Sequence, residues 1–165
     1  RMAAGLEKQF RQRVSVVELV PETYNRLYAD FKRQGRSLNH LLAWAHGKAV
    51  ERLIPARPDA IIVDQFAGAG VIRPRIPDGP ELILRPRAEN NIAVAAASVV
   101  AGGRYLARLE ALSREFGVTL APGAGAAADA SVREVLRKHG PDAVGRVAKR
   151  HFKNMEKIGA QDLFE

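Results

Sequence analysis

The sequence contains no cysteine, a single tryptophan and no stretch of eighteen uncharged apolar residues. Without cysteine the chain can form neither a disulfide nor a thiolate metal site, so oxygen and imidazole ligands are the ones left for a metal ion. The lack of a long apolar run predicts no membrane span, and the charged N-terminus lacks the apolar core of a signal peptide. Aromatic residues make up only 6% of the chain and do not cluster in the sequence, which argues against a base-stacking platform. We therefore expect a globular protein located in the cytoplasm.

Positive charge is what the sequence has in excess. It contains 26 Lys and Arg residues against 18 Asp and Glu residues, for a formal net charge of +8. Such an excess favours polyanionic partners, because basic side chains bind phosphates and release their counterions. With 165 residues the chain is long enough for one domain with a substantial core, and we expect residues 1–165 to form a single domain.

Apolar periodicity and helix breakers predict an α/β domain. Strands are expected at 14–20 (VSVVELV), 60–65 (AIIVDQ) and 81–85, and helices at 21–34, 37–54, 91–116, 130–140 and 142–158. The helix that begins near Asn91 opens with small apolar residues, so we expect this half to be buried against the sheet. We also expect Gly102 and Gly103 to interrupt that helix and Asp129 to cap the next one.

Two carboxylates lie where metal-assisted chemistry would be possible. Asp64 ends a predicted strand, and ligands of α/β sheets gather beyond the carboxyl ends of strands. Glu89 lies just before the small-residue helix, so a sheet edge formed by the intervening segment would bring both acids to one rim. Converging carboxylates favour Mg²⁺ or Mn²⁺. A simpler interpretation stays open, in which Asp64 contacts solvent and Glu89 offsets the positive end of a helix.

Several segments, taken in order, resemble one family. They are PETYNRLY (21–28), LNHLLAWAHGKAVERL (38–53), IIVDQF (61–66), AENNIAVAAASVVA (88–101), LAPGAG (120–125) followed by Asp129, and AKRHFKN (148–154). Together they are similar to ribonuclease HIII, the type 3 ribonuclease H family. The resemblance implies a partial ribonuclease H-like fold, with a mixed sheet flanked by helices and a helical C-terminal region. It also implies an endonuclease that uses Mg²⁺ or Mn²⁺ to cleave the RNA strand of RNA/DNA hybrids.

The resemblance also implies roles for individual residues. Asp64 matches the position of a catalytic, metal-binding aspartate, and Glu89 is the nearest candidate for a second catalytic metal ligand. Basic residues near these acids or within the matching motifs are expected to contact the nucleic acid; they are Arg85, Arg87, Arg104, His151 and Lys153. For His151 and Lys153 a solvated helix face is the alternative. His46 is expected to pack or form a hydrogen bond rather than to bind a ligand.

One family motif has no counterpart in this sequence. The family opens its catalytic domain with a strand that carries an adjacent Asp-Glu pair, and no Asp-Glu dipeptide occurs here. We therefore expect the domain to lack its first strands and the isolated chain to be inactive. The sequence leaves three alternatives open: a truncation, a split enzyme completed by a second chain that supplies these strands, and a degenerate homologue. The last would be a non-catalytic module that binds RNA/DNA hybrids or RNA.

Overall fold

A computed structural model of the protein describes residues 1–152, 155 and 158. Its α-helices are α1 (Met2–Gln9), α2 (Pro21–Arg33), α3 (Leu38–Glu51), α4 (Ala69–Ile72), α5 (Ile92–Phe116), α6 (Ala126–His139) and α7 (Pro141–Val147). The strands are β1 (Ala60–Asp64) and β2 (Glu81–Arg85), and short 3₁₀ helices span Ile54–Ala56, Arg73–Arg75 and Ala88–Asn90. The predicted alternation of helices with strands is confirmed.

Strands β1 and β2 form a parallel sheet, with register pairs that run from Ala60 opposite Glu81 to Asp64 opposite Arg85. Within the described residues this sheet is parallel, whereas the sequence predicted a mixed one. Ile61 and Val63 alternate onto one face, where they pack against Ile72 and Ile76. Helix α4 and a 3₁₀ helix lie in the connection between the strands, as a parallel pair requires a crossover.

The predicted strand at 14–20 is wrong. This segment has no regular secondary structure, although most of its side chains are half-buried. High β propensity alone does not form a strand, because a ladder needs a partner to accept and donate its hydrogen bonds. The guanidinium of Arg52 donates to the carbonyl of Val16 at 3.1 Å. Among the described residues, the buried hydroxyl of Ser15 has no hydrogen-bond partner.

Helix α5 departs from two predictions. It is continuous over 25 residues, so Gly102 and Gly103 do not interrupt it. Its first half is not buried: Ile92 is 85% exposed, and of residues 92–104 only Val100 is buried. The reason is that the described sheet has two strands and α5 makes no extensive contact with either. Helix α5 is long and apolar enough to cross a membrane. Core helices of soluble proteins can have the same length and composition.

The chain divides into two compact units, one formed by residues 1–18 and 30–104 and the other by residues 19–29 and 105–165. The core of the first unit lies under the sheet. The second has two apolar clusters among its described residues, built mainly from α6, α7 and the segment after α5. Helix α6 begins earlier than predicted, after Gly125, so Asp129 lies in its first turn and is not its N-cap. Helix α7 ends earlier than predicted, at Val147.

Candidate active site

The carboxyl ends of β1 and β2 form a polar rim in the first unit. Asp64 and Arg85 are the last register partners of the two strands, and both are exposed. The backbone N–H of Gln65 donates to the carbonyl of Arg85 at 2.9 Å, which continues the pairing one residue further. Because the strands are parallel, a carboxylate and a guanidinium emerge side by side at one edge of the sheet.

The chain after β2 turns back towards Asp64. Arg87 adopts a left-handed conformation, with φ 55° and ψ 49°, and the 3₁₀ helix Ala88–Asn90 follows directly. This turn places the backbone N–H of Ala88 3.4 Å from Oδ1 of Asp64, a long hydrogen bond. Ala88 is buried and the next residue, Glu89, is exposed. The main chain just before Glu89 therefore lies beside Asp64, at the edge of the sheet where Arg85 also lies.

The rim contains candidate ligands for a metal ion. Asp64 and Glu89 offer carboxylate oxygens, the ligands that Mg²⁺ and Mn²⁺ prefer. Over residues 1–152, 155 and 158, however, no three His, Asp or Glu side chains come close enough together to hold an ion. A Mg²⁺ ion bound through one or two carboxylates takes its other ligands from water and phosphate. The described residues are thus compatible with an open, incomplete site.

Two other candidate residues of the first unit have partners of their own. The guanidinium of Arg104 lies 2.6 Å from a carboxylate oxygen of Glu7 and 3.7 Å from one of Glu18. The hydrogen bond with Glu7 raises the pKa of Arg104. His46 places Nδ1 2.8 Å from the carbonyl of Leu42, and its ring lies 4.8 Å from that of Phe66. Since a carbonyl only accepts, Nδ1 carries the proton, and the predicted hydrogen-bonding role of His46 is confirmed.

In the second unit His151 lies within a cluster of aromatic rings. Its ring centroid is 5.4 Å from that of Tyr24, 4.6 Å from that of Tyr28 and 4.2 Å from that of Phe152. Burial lowers the pKa of His151, and the neighbouring ammonium of Lys149 lowers it further. Burial also raises the pKa of Tyr24 to about 12. Lys153, the remaining candidate, lies outside the described residues.

Comparison with known proteins decides the family. The sequence profile of ribonuclease HII matches residues 3–155. The chain belongs to the ribonuclease HII family. Among its relatives, ribonuclease HIII of Protochlamydia amoebophila (strain UWE25) is 40% identical over 149 residues, which cover 87% of this chain and 48% of that protein. Ribonuclease HIII of Chlamydia pneumoniae is 35% identical over 149 residues, with 87% and 49% covered. The resemblance to ribonuclease HIII is confirmed.

A solved structure of a family member has the same fold. The crystal structure of Bst-RNase HIII in complex with Mn²⁺ superposes with a TM-score of 0.74 at 30% identity, over 87% of this chain and 49% of that chain. The ribonuclease H-like α/β fold is therefore confirmed. The chain spans about half the length of the relatives that it matches.

The aromatic cluster is the feature of this ribonuclease HII family member that the sequence did not predict. A low aromatic content argued against clustering, yet four rings meet in the second unit. Tyr24 and Tyr28 are four residues apart on α2, so they share one helix face. That spacing was a readable signal, but nothing in the sequence showed that His151 and Phe152 fold onto the same face.

Proposed function

We propose that this ribonuclease HII family member is a metal-dependent endonuclease that cleaves the RNA strand of RNA/DNA hybrids. The observation that carries the proposal is the position of Asp64 at the carboxyl end of β1. Its Oδ1 lies 3.4 Å from the backbone nitrogen of Ala88, the residue before Glu89. The ribonuclease HIII relatives and the Mn²⁺ bound by Bst-RNase HIII support it. In this proposal Asp64 and Glu89 are ligands of Mg²⁺ or Mn²⁺.

The basic side chains of the rim would bind the substrate. A bound divalent ion supplies Lewis-acid chemistry at a phosphate and lowers the pKa of a bound water. Arg85 and Arg87 emerge beside Asp64 and suit contacts with the hybrid backbone, where recognition depends on helix shape and 2′-hydroxyl groups. Arg104 contributes less, because Glu7 and Glu18 already offset its charge. We place this activity in the cytoplasm, with no membrane partner.

The proposal includes a further segment that completes the sheet. The described sheet has only two strands, and parallel sheets are normally larger and covered on both faces. Helix α5 leaves apolar side chains such as Ile92 and Val99 exposed. The relatives are about twice as long as the matched part of this chain. We infer that a segment equivalent to the relatives' other half, in the same polypeptide or on a second chain, adds strands, covers α5 and supplies the missing carboxylates.

A second candidate function is a non-catalytic module that binds RNA/DNA hybrids. It is favoured by the incomplete acidic set, since no three candidate ligands converge in the described part of the chain. The net charge of +8 serves this function as well as it serves the first. The two functions differ in whether the completed protein hydrolyses the hybrid or only retains it.

Cleavage of a labelled RNA/DNA hybrid distinguishes these functions. The 165-residue chain alone should not cleave the hybrid with Mg²⁺ or Mn²⁺. The chain joined to the half of the Protochlamydia relative that it does not match should cleave it, and Asp64→Asn should abolish the activity. Asp59→Asn is the matched control, because Asp59 is an exposed acid that precedes the opposite end of β1. Its activity should stay close to that of the unsubstituted fusion.

Two results would overturn parts of this proposal. Cleavage by the isolated chain that depends on Asp64 would show that its catalytic set is complete. A fusion that folds and binds the hybrid in chelator, yet never cleaves it with either ion, would favour the binding module.

A further inference from the structure

Four aromatic rings in the second unit form one cluster, and one of them is exposed. Tyr24 and Tyr28 are stacked, with centroids 6.0 Å apart and planes 7° apart. The ring of His151 lies 4.6 Å from that of Tyr28 and 4.2 Å from that of Phe152, with its plane tilted by 39° and 35° to theirs. Exposure differs within the cluster, from 2% for Tyr24 to 43% for Phe152. Phe152 is the most exposed of these four rings.

The side-chain amide of Asn25 holds the segment that carries His151 and Phe152. Nδ2 of Asn25 donates to the carbonyls of Gly145 and Ala148, each at 3.0 Å, and Oδ1 accepts the backbone N–H of Arg150 at 2.9 Å. These bonds fix the chain where α7 has ended, so the position of Phe152 follows from backbone contacts as well as from ring packing. A preorganised aromatic surface loses little conformational entropy when a ligand binds.

A cation lies beside the cluster. Nζ of Lys149 is 4.5 Å from the ring centroid of Tyr24 and 6.0 Å from that of Phe152. Although Lys149 is an exposed residue, desolvation of its ammonium lowers its pKa. A positive charge next to an open aromatic face is the combination that binds single-stranded nucleic acids, in which bases stack on the ring and the cation contacts the phosphate.

We propose that the exposed ring of Phe152 stacks an unpaired base of a single-stranded nucleic acid and that Lys149 contacts the adjacent phosphate. Phe152 is 43% exposed while its ring packs 4.2 Å from that of His151, so the ring is held by a neighbour and still accessible to a ligand. Charge complementarity favours a nucleic acid, given the net charge of +8. The inference shares with the proposed function only the class of ligand, since stacking requires neither metal nor hydrolysis.

Binding of two oligonucleotides to the 165-residue chain tests this inference. One is a short single-stranded RNA, and the other has the same length and charge but carries abasic sites. Both are titrated in chelator and followed by fluorescence anisotropy. The wild-type chain should bind the RNA with bases about tenfold more tightly, since a base stacked on an aromatic ring contributes a factor of this order. Phe152→Ala should remove that preference.

The chain contains a matched control. Phe10 is 42% exposed, like Phe152, but lies in the first unit and is not one of the four rings of the cluster. Phe10→Ala should leave the base preference unchanged. Phe152→Trp should keep the preference and report stacking directly, through quenching of the new indole when the RNA binds. Thermal unfolding of each variant separates loss of stacking from loss of fold, and Phe152→Leu tests whether an apolar side chain without a π face suffices.

Three results would overturn the inference: equal wild-type affinity for the two oligonucleotides, an unchanged preference in a folded Phe152→Ala variant, or equal losses in Phe10→Ala and Phe152→Ala. None of these bears on hydrolysis of a hybrid by the completed enzyme. Conversely, a base preference in a chain that never cleaves after completion would refute the proposed catalysis and leave the stacking site intact.

Discussion

Asp64 and Arg85 are register partners at the last pair of a parallel ladder. Register partners on neighbouring strands point to the same face, and alternation places this pair on the face of Ile62 and Ile83, opposite the face that packs on Ile72. A carboxylate and a guanidinium thus share one corner of the sheet. That corner adjoins the sheet face with less cover among the described residues.

Reversing the charges of the rim should weaken hybrid binding. We expect Arg85→Glu combined with Arg87→Glu to lower affinity and to reduce the slope of log K against log salt by about one for each arginine that contacts a phosphate. The measurement is a hybrid titration at several salt concentrations, in chelator. Arg114→Glu is the control, because Arg114 is an exposed arginine paired with Glu110 in the second unit. Equal slopes for the double variant and the wild type would exclude these phosphate contacts.

Alanine substitutions at two adjacent glycines of α5 should change the stability of the chain in opposite directions. A Cβ at Gly102 would meet no atom within 4 Å, so Gly102→Ala should stabilise the helix by about 1 kcal/mol. A Cβ at Gly103 would lie 2.3 Å from Cβ of Ala3 in α1, so Gly103→Ala should destabilise the chain and release α1. Urea denaturation and limited proteolysis near α1 measure both effects. Similar stability gains in the two variants would contradict the close contact between α1 and α5.

The hydrogen bonds of the Asn25 amide should contribute more to stability than the shape of the side chain does. Asn25→Ala removes three hydrogen bonds and should cost about 2–4 kcal/mol of unfolding free energy. Asn25→Asp keeps an acceptor for the N–H of Arg150 but turns a carboxylate oxygen towards the carbonyls of Gly145 and Ala148. We therefore expect Asp to be no better than Ala despite its shape. Denaturant midpoints decide this, and a stable Asp variant would argue against the observed amide orientation.

The aromatic cluster should make stability depend on pH. Burial and Lys149 lower the pKa of His151, so the folded state binds a proton less tightly than the unfolded state. Its contribution to stability is therefore complete above the usual histidine pKa and is lost as pH falls through the lowered value. The melting temperature should fall between about pH 7.5 and about pH 5. The fall should be smaller in His151→Gln. Identical pH profiles for the wild type and this variant would show that His151 does not cause the pH dependence.

Local signals in the sequence were sufficient for much of the fold. Pro21 opens α2 and Gly35 follows its end with φ 69°, because proline suits the first turn and glycine adopts positive φ readily. The strand at Glu81–Arg85 forms as predicted, and Asp64 ends β1. The rim could be anticipated because consecutive parallel strands bring their carboxyl ends to one edge. The catalytic role of Asp64 and Glu89 stays a prediction.

Contacts between distant residues decided the rest. The segment at 14–20 has the composition of a strand but no ladder partner, and α5 has the composition of a core helix but little to cover it among the described residues. The hydroxyl of Tyr24 reaches His151 across 127 positions of sequence. Composition and periodicity determine which faces are apolar and which residues favour strands or helices. Only the tertiary structure decides what those faces meet, because burial and ladder pairing depend on partners far away along the chain.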